Sequence, residues 1–139
     1  LTRPEARQVL FTQLVTGLEF VDDQRLGRPL GSFDVPHPER AEARGSGRSL
    51  RNVVLALQAM RAMVDSLTPD APQTLAAFDH AIALAEGLDD PVFAGVAEPE
   101  ARLKVEVLQQ AVGHIRDLAL SELAPELDVG IGFNAADGD

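Results

Sequence analysis

Apolar residues recur every three or four positions through four long segments of this chain, and this pattern limits the fold more than any other feature. The segments run from about Pro4 to Asp23, Ser49 to Leu67, Pro72 to Gly87 and Glu98 to Leu123. In the first segment the apolar stripe consists of Leu10, Leu14, Leu18 and Val21. Because each helix then has one apolar face to bury, the pattern predicts an all-α fold, a four-helix bundle of the up-and-down type.

Prolines and glycines indicate where these helices end. Gly27 and Pro29 are expected to stop the first helix, and Pro125 the fourth. Ser49 is a candidate N-cap for the second helix. A linker at 28–47, with three prolines and three glycines, separates helices one and two. Loops this long inside a compact domain are usually functional or disordered, and we expect this one to be ordered.

Composition bounds the class of protein. The 139 residues suit a single domain over 1–139. The 12 basic and 22 acidic residues give a net charge of −10, which argues against nucleic acid as a partner. Cysteine is absent, so disulfides and thiolate chemistry are excluded, and no apolar run is long enough for a transmembrane segment. Since the chain begins with Leu1 rather than Met, we expect it to be a piece of a longer protein.

The sequence contains no standard catalytic or metal-binding motif. His37 lies between two prolines in the linker, and His80 is expected to face solvent. His114 and Asp117, three residues apart on the fourth helix, are either two ligands on one face or a boundary histidine beside an exposed aspartate. Because a metal needs at least three protein ligands, we assign this chain no metal site and no catalytic residue.

The linker and the start of the second helix hold the one basic concentration of this acidic chain. Its members are Arg40, Arg44, Arg48 and Arg51. Glu39 and Glu42 are interleaved with them, so ion pairing is one explanation. The alternative is that the planar fork of Arg44 binds a carboxylate, either of a ligand or of the C-terminal tail.

The tail, residues 130–139, places Phe133 between glycines and then alternates amide, acidic and glycine residues. Gly132 and Gly138 permit positive φ angles, which would let the tail fold back on the body. Asn134, Asp137 and Asp139 either bind a cation through their oxygens or accept backbone N–H groups that tie the terminus down.

Three segments, in this order along the chain, carry recognisable patterns. Residues 26–31 read LGRPLG, residues 42–50 read EARGSGRSL, and the chain ends in GFNAADGD. They are similar to an LGxPLG turn, to an ESRxSxx[ST] segment that leads into a helix, and to a GFNxxDGD motif. All three belong to the imelysin-like family of helical cell-envelope proteins, first described as insulin-cleaving metallopeptidases and often linked to bacterial iron uptake, and the chain resembles this family. By position, the resemblance implies that a ligand cleft is lined by Glu42, Arg44, Ser46, Ser49, Asn134, Asp137, Gly138 and Asp139. Ala43, Asn52 and Ala56 depart from the family pattern.

The resemblance implies that this chain is the C-terminal half of a protein of two bundles, with the ligand cleft between the halves. The N-terminal half is then a partner, and a GxHxxE metal motif belongs to that half. One interpretation is a non-enzymatic domain associated with iron uptake, binding iron or another small ligand. The alternative is half of a metallopeptidase, with any metal cofactor held by the other half. The implied location is the periplasm or outer cell envelope, with a lipid anchor on the N-terminal part.

Overall fold

The structure, a computed structural model, describes residues 2–130. Its helices are α1 (Arg3–Phe20), α2 (Gly27–Leu30), α3 (Ser49–Leu67), α4 (Pro72–Glu86), α5 (Pro99–Leu118) and α6 (Ala124–Leu127). The connections contain 3₁₀ turns at Pro38–Arg40, Arg44–Ser46 and Ala94–Ala97. Residues 2–130 contain no strand, which confirms the all-α prediction. Within the same residues, no helix combines the length and apolar character needed to cross a membrane.

The four long helices form the predicted bundle. They pack in a ring in which α1 lies against α3 and α5, and α4 lies between α3 and α5. Their shared core is apolar, and its largest fully buried side chains include Leu14, Leu18, Leu57, Phe78, Leu108 and Ile115. Each such side chain contributes about 1.5–3 kcal/mol by leaving water. The buried stripes of the four helices therefore hold the bundle together.

Helix α1 does not end where the glycine and proline predicted. A π-helical turn, Val21–Leu26, follows it and leads into α2, so the helical path continues to Leu30. The N–H of Gly27 donates to the carbonyl of Asp22, five residues earlier, and a Cβ on Gly27 would lie only 3.0 Å from that oxygen. Gly27 therefore closes the wide turn instead of stopping the helix. Pro29 is tolerated because it lies in the first turn of α2, where its missing N–H costs little.

The same arrangement ends α5. A second π-helical turn, Ala119–Leu123, leads into α6, so the helical path continues past Pro125 to Leu127. Pro125 lies in the first turn of α6 and does not end the helix as predicted. Both helical paths continue past the predicted ends for the same physical reason. A wide turn just before each proline restarts the ladder of backbone hydrogen bonds.

The linker at 31–48 is held by buried contacts at its first residues. Gly31 has a φ of +57°, a backbone conformation that favours glycine. The N–H of His37 donates to the carbonyl of Pro29 at 2.9 Å. Arg102 of α5 is only 5% exposed, and its Nη1 donates to the carbonyl of Leu30 at 2.7 Å. A buried charge-assisted bond of this kind fixes the path of the linker against the bundle.

Glu122, in the second π-helical turn, caps a different helix. Its carboxylate accepts bonds from the N–H of Gln73 (3.1 Å) and of Thr74 (2.7 Å) and from the Thr74 hydroxyl (2.8 Å). The residue in the N-cap position of α4, Ala71, offers no side-chain bond. Burial alone would raise the pKa of the Glu122 carboxyl. The three hydrogen bonds together lower it by more than burial raises it, so the pKa is below its ordinary value. The start of α4 is therefore stabilised from the end of α5.

Candidate functional site

Glu42 of the linker is the centre of a polar cluster at one end of the bundle. Its Oε2 accepts a bond from Arg25 Nη1 at 2.8 Å and lies 3.4 Å from Asn52 Nδ2. Its backbone carbonyl accepts the hydroxyl of Ser49 at 2.5 Å. We refer to Arg25, Glu42, Ser49 and Asn52 as the Glu42 cluster. It joins three elements, because Arg25 comes from the first π-helical turn and Ser49 and Asn52 come from α3.

Ser49 does not have the role that its sequence position predicted. Arg48 occupies the N-cap position of α3 and makes no side-chain cap bond. Ser49 is the first helical residue, and it is 2% exposed. Since its hydroxyl donates to the carbonyl of Glu42, it holds the linker to α3 instead of capping that helix.

The π-helical turn accounts for the position of Arg25. Its guanidinium carbon lies 5.2 Å from the centre of the Phe20 ring, within the range of a cation–π contact. Its Nε is buried and has no hydrogen-bond partner among the described residues. Arg25 therefore keeps donor capacity beyond its bond to Glu42.

Arg44 and Ser46 lie beside the Glu42 cluster and not in it. Both belong to the 3₁₀ turn Arg44–Ser46, and both are exposed. The Ser46 hydroxyl donates to the carbonyl of Ala43 at 3.0 Å. Ala43 itself has a φ of +56°, an uncommon angle for a residue with a Cβ. The turn thus presents the Arg44 guanidinium to solvent next to the cluster.

The two glutamates that lie between the arginines of the linker, Glu39 and Glu42, pair with different partners. Glu39 accepts a bond from His37 Nδ1 at 3.0 Å and lies 3.9 Å from Arg40 Nε. Its own backbone N–H and His37 lower the pKa of the exposed Glu39 carboxyl. Glu42, in contrast, pairs with Arg25 from another element. Of the two explanations for these arginines, ion pairing thus accounts for Arg40.

The remaining histidines do not converge. His80, His114 and Asp117 are all exposed, which agrees with the interpretation of His80 as solvent-facing and of Asp117 as an exposed aspartate beside a boundary histidine. Within residues 2–130 no group of three histidine, cysteine, aspartate or glutamate residues could hold a metal ion. The tail residues Asn134, Asp137, Gly138 and Asp139 lie outside the described residues, so their role in the site stays a prediction.

An apolar groove of about 530 Å³ lies between α1 and α3 and reaches Arg25. Gly17 of α1 and Met60 of α3 approach closely at its floor, where a Cβ on Gly17 would lie 3.0 Å from the Met60 sulfur. Phe20 forms part of its wall and is 47% exposed. The groove and the Glu42 cluster therefore share one residue, Arg25.

Sequence reasoning missed Arg25, although a signal for it exists. Arg25 follows Leu14, Leu18 and Val21 at helical spacing, so a regular helix would place its charge on the buried stripe. A charge at such a position indicates either a buried pair or an irregular turn. The structure contains the irregular turn: the π-helical turn moves Arg25 to the side of the bundle, where it pairs with the partly exposed Glu42.

The comparisons with known proteins identify a family. The model of the family described as Peptidase M75, imelysin, matches residues 2–119. No curated protein and no solved structure matches the chain significantly. The matched range includes α1, the linker with the Glu42 cluster, and α3 to α5. A match over most of the chain, with the all-α bundle and the linker segment noted above, shows that this chain belongs to the imelysin family.

Proposed function

We propose that this domain is a non-enzymatic cell-envelope domain associated with iron uptake. In this proposal the Glu42 cluster and the adjacent Arg44 turn form its side of a ligand cleft, and an N-terminal half supplies the other side. The observation that carries the proposal is the position of Glu42. Arg25 and Asn52 hold the Glu42 carboxylate, and Ser49 holds the Glu42 backbone carbonyl, at one end of the bundle and within the segment that resembles the family motif.

The geometry favours a ligand that carries both a cation and carboxylates. The Glu42 side chain is 44% exposed, so its carboxylate is accessible from solvent while Arg25 fixes its orientation. Hard cations such as iron take carboxylate oxygens as ligands. The exposed Arg44 suits the carboxylates of a chelator, because its planar fork binds them with two bonds. A ferric carboxylate chelate therefore matches both groups.

Asn52 limits how much metal binding this half supplies. The resemblance leads us to expect an aspartate at this position, and an aspartate beside Glu42 would give two neighbouring carboxylates. Asn52 instead presents an amide nitrogen 3.4 Å from Glu42 Oε2. One carboxylate is too few to hold an iron ion. The remaining ligands must come from the chelator or from the N-terminal half.

Calorimetric titration of the full-length protein with ferric citrate tests the proposal. We expect Glu42→Gln to weaken binding about tenfold, since an amide cannot replace the charge of the carboxylate. The control is Glu39→Gln, which removes a neighbouring exposed carboxylate that lies outside the Glu42 cluster, and it should change binding less than about twofold. Equal affinities for the two variants would contradict the assignment of Glu42.

Two further measurements address the partner half and the alternative. The natural protein should have an intact mass at least about twice the 14.9 kDa of this chain. A mass equal to that of this chain would contradict the proposal that a second half completes the cleft. Hydrolysis of an insulin substrate that EDTA abolishes would favour the metallopeptidase alternative.

A further inference from the structure

The groove between α1 and α3 exists because small residues line it on both helices. Gly17 lies in the middle of α1, and Ala56 and Ala59 belong to α3. A glycine inside a helix costs stability relative to alanine. Here a Cβ would lie 3.0 Å from the Met60 sulfur, so the close approach of the two helices accounts for the glycine. The groove has a volume of about 530 Å³, which is within the range of small-molecule sites.

One end of the groove is cationic. Among the described residues, Arg25 is the only charged one that lines it. The guanidinium carbon lies 5.2 Å from the centre of the Phe20 ring, and Phe20 is itself 47% exposed. The cation therefore lies beside an aromatic wall that a ligand can reach.

Arg25 has donors beyond those that its ion pair uses. Its bond to Glu42 uses one donor, at Nη1. A guanidinium carries five N–H donors, and the one at Nε is buried without a partner among the described residues. A buried donor without an acceptor is costly, and a carboxylate is an acceptor whose two oxygens match the plane of a guanidinium. The donors of Arg25 therefore favour a carboxylate at this end of the groove.

The remaining walls of the groove favour an aromatic ring. Most of the lining is apolar, and it includes the Phe20 ring and the Met60 thioether. Aromatic rings and thioethers both make favourable contacts with a second aromatic ring. A small hydrophilic anion would contact Arg25 and leave these walls uncovered. An aryl carboxylate contacts both.

We propose that the groove between α1 and α3 binds an aryl carboxylate, with its ring between Phe20 and Met60 and its carboxylate at Arg25. The inference rests on the proposed function for one consequence only. Because Arg25 also binds Glu42, a ferric chelate at the Glu42 cluster would place an aryl group of its chelator in this groove.

Methionine methyl NMR of the full chain, without iron, tests the proposal with an internal control. The chain contains two methionines, Met60 and Met63, and both lie in α3. Met60 lines the groove, whereas Met63 does not. With benzoate as the probe, we expect the aromatic ring to shift the Met60 methyl resonance and to leave that of Met63 unchanged. The dissociation constant should be on the order of 1 mM, as is usual for a ligand of this size.

Two matched ligands separate the contribution of the charge from that of the ring. Benzamide keeps the ring and lacks the charge, so it should bind at least about tenfold more weakly than benzoate. Acetate keeps the carboxylate and lacks the ring, so it should leave both methyl resonances unchanged. Equal affinities for benzoate and benzamide would overturn the assignment of Arg25. Equal shifts of Met60 and Met63 would show that benzoate does not bind in the groove.

A pair of variants tests the location independently. Ala59 and Ala62 are both exposed on α3, but Ala59 lines the groove and Ala62 does not. Ala59→Asp should weaken benzoate binding about fivefold by repelling its carboxylate, and Ala62→Asp should weaken it less than about twofold. Equal effects of the two variants would contradict the proposal. A Met60 resonance that shifts with protein concentration alone would assign the groove to a second copy of the chain, which would equally overturn it.

The benzoate measurement contains no iron, and the ferric citrate titration contains no aromatic ligand, so the two proposals fail separately. Benzoate binding in the groove without ferric citrate binding would refute the proposed function and leave the aryl carboxylate site intact. Ferric citrate binding without a benzoate shift at Met60 would refute the aryl carboxylate site alone.

Discussion

Replacing Glu122 by glutamine tests the most quantitative feature of this fold, the capping of α4 by a residue from the end of α5. The carboxylate accepts three hydrogen bonds, from the N–H groups of Gln73 and Thr74 and from the Thr74 hydroxyl. Thr74 is fully buried, so its groups have no access to water when the acceptor is weakened. Glutamine keeps the shape of the side chain but has one acceptor oxygen and no charge.

The expected loss follows from the groups left without a partner. Removing a cap from a helix N-terminus costs about 0.5–2 kcal/mol. An unsatisfied buried donor costs about 1–3 kcal/mol, although partial exposure of Glu122 lowers this value. We therefore expect Glu122→Gln to lower the free energy of unfolding by about 2 kcal/mol. In a domain of this size that lowers the melting temperature by roughly 6 °C.

The effect should depend on pH in a defined direction. The pKa of Glu122 is lowered in the folded protein, so its charge stabilises the fold above the ordinary carboxyl pKa of 4.5. That stabilisation is lost as the pH falls through the folded-state pKa. The difference between wild type and Glu122→Gln should therefore be full at pH 7 and smaller at an acidic pH below 4.5.

Urea unfolding at both pH values measures this difference, and Glu126→Gln is the matched control. Glu126 is an exposed glutamate of α6, close in sequence to Glu122, and it should change stability by less than about 0.5 kcal/mol. If the two variants unfold at the same urea concentration at pH 7, the capping argument is wrong. A difference that persists unchanged at low pH would refute the role of the charge.

Two further predictions concern the linker. Arg102→Met should lower the free energy of unfolding by about 3 kcal/mol, measured with urea, because it leaves the buried carbonyl of Leu30 without its donor. It should also speed amide exchange in the linker. The control, Arg116→Met, removes a partly exposed partner of Glu19 and should lower the free energy of unfolding by less than about 1 kcal/mol. Gly31→Ala should lower stability by about 1–3 kcal/mol, because Gly31 has positive φ and a Cβ there would collide with the carbonyl of Val35. Gly45→Ala, with no atom near the added Cβ, should have little effect.

The bundle was predictable because its signal is local and repeated. The apolar stripe predicted for the fourth helix, for example, includes Leu108, Ala111 and Ile115, and all three are buried in α5. Leu103 and Val107, which the same prediction included, lie at the edge of the stripe and are exposed. Such spacing depends only on the geometry of one helix. The end of α4 at Gly87 was predictable for the same reason, since a glycine directly follows the last helical residue.

The candidate site was less predictable because its contacts join distant parts of the chain. The linker segment was singled out from its sequence, and the structure places Glu42 and Ser49 in contact there. The partner of Glu42 is Arg25, seventeen residues earlier, and spacing alone does not identify it. Glu122 and Thr74 are 48 residues apart, so their contact follows only from the packing of α4 on α5.

The two π-helical turns explain why the charged residues Arg25 and Glu122 are tolerated at positions where the helical spacing calls for apolar residues. In a regular helix Arg25 would follow Val21 on the buried stripe, and Glu122 would follow Ala119 on the stripe of α5. One extra residue in a turn rotates all later side chains by about 100°. Leu26 and Leu123 then take the buried positions, and both are fully buried.

The displaced charges come to lie where they have partners. Arg25 moves toward the groove between α1 and α3, where it binds Glu42. Glu122 moves toward α4, where it caps the helix. Because π-helical turns are rare and are frequent at functional sites, the turn that positions Arg25 is itself an argument for a binding role of the Glu42 cluster. The turn at Glu122 shows that the same irregularity also has a purely structural use, so the binding role proposed above depends on the exposed carboxylate of Glu42 and not on the turn alone.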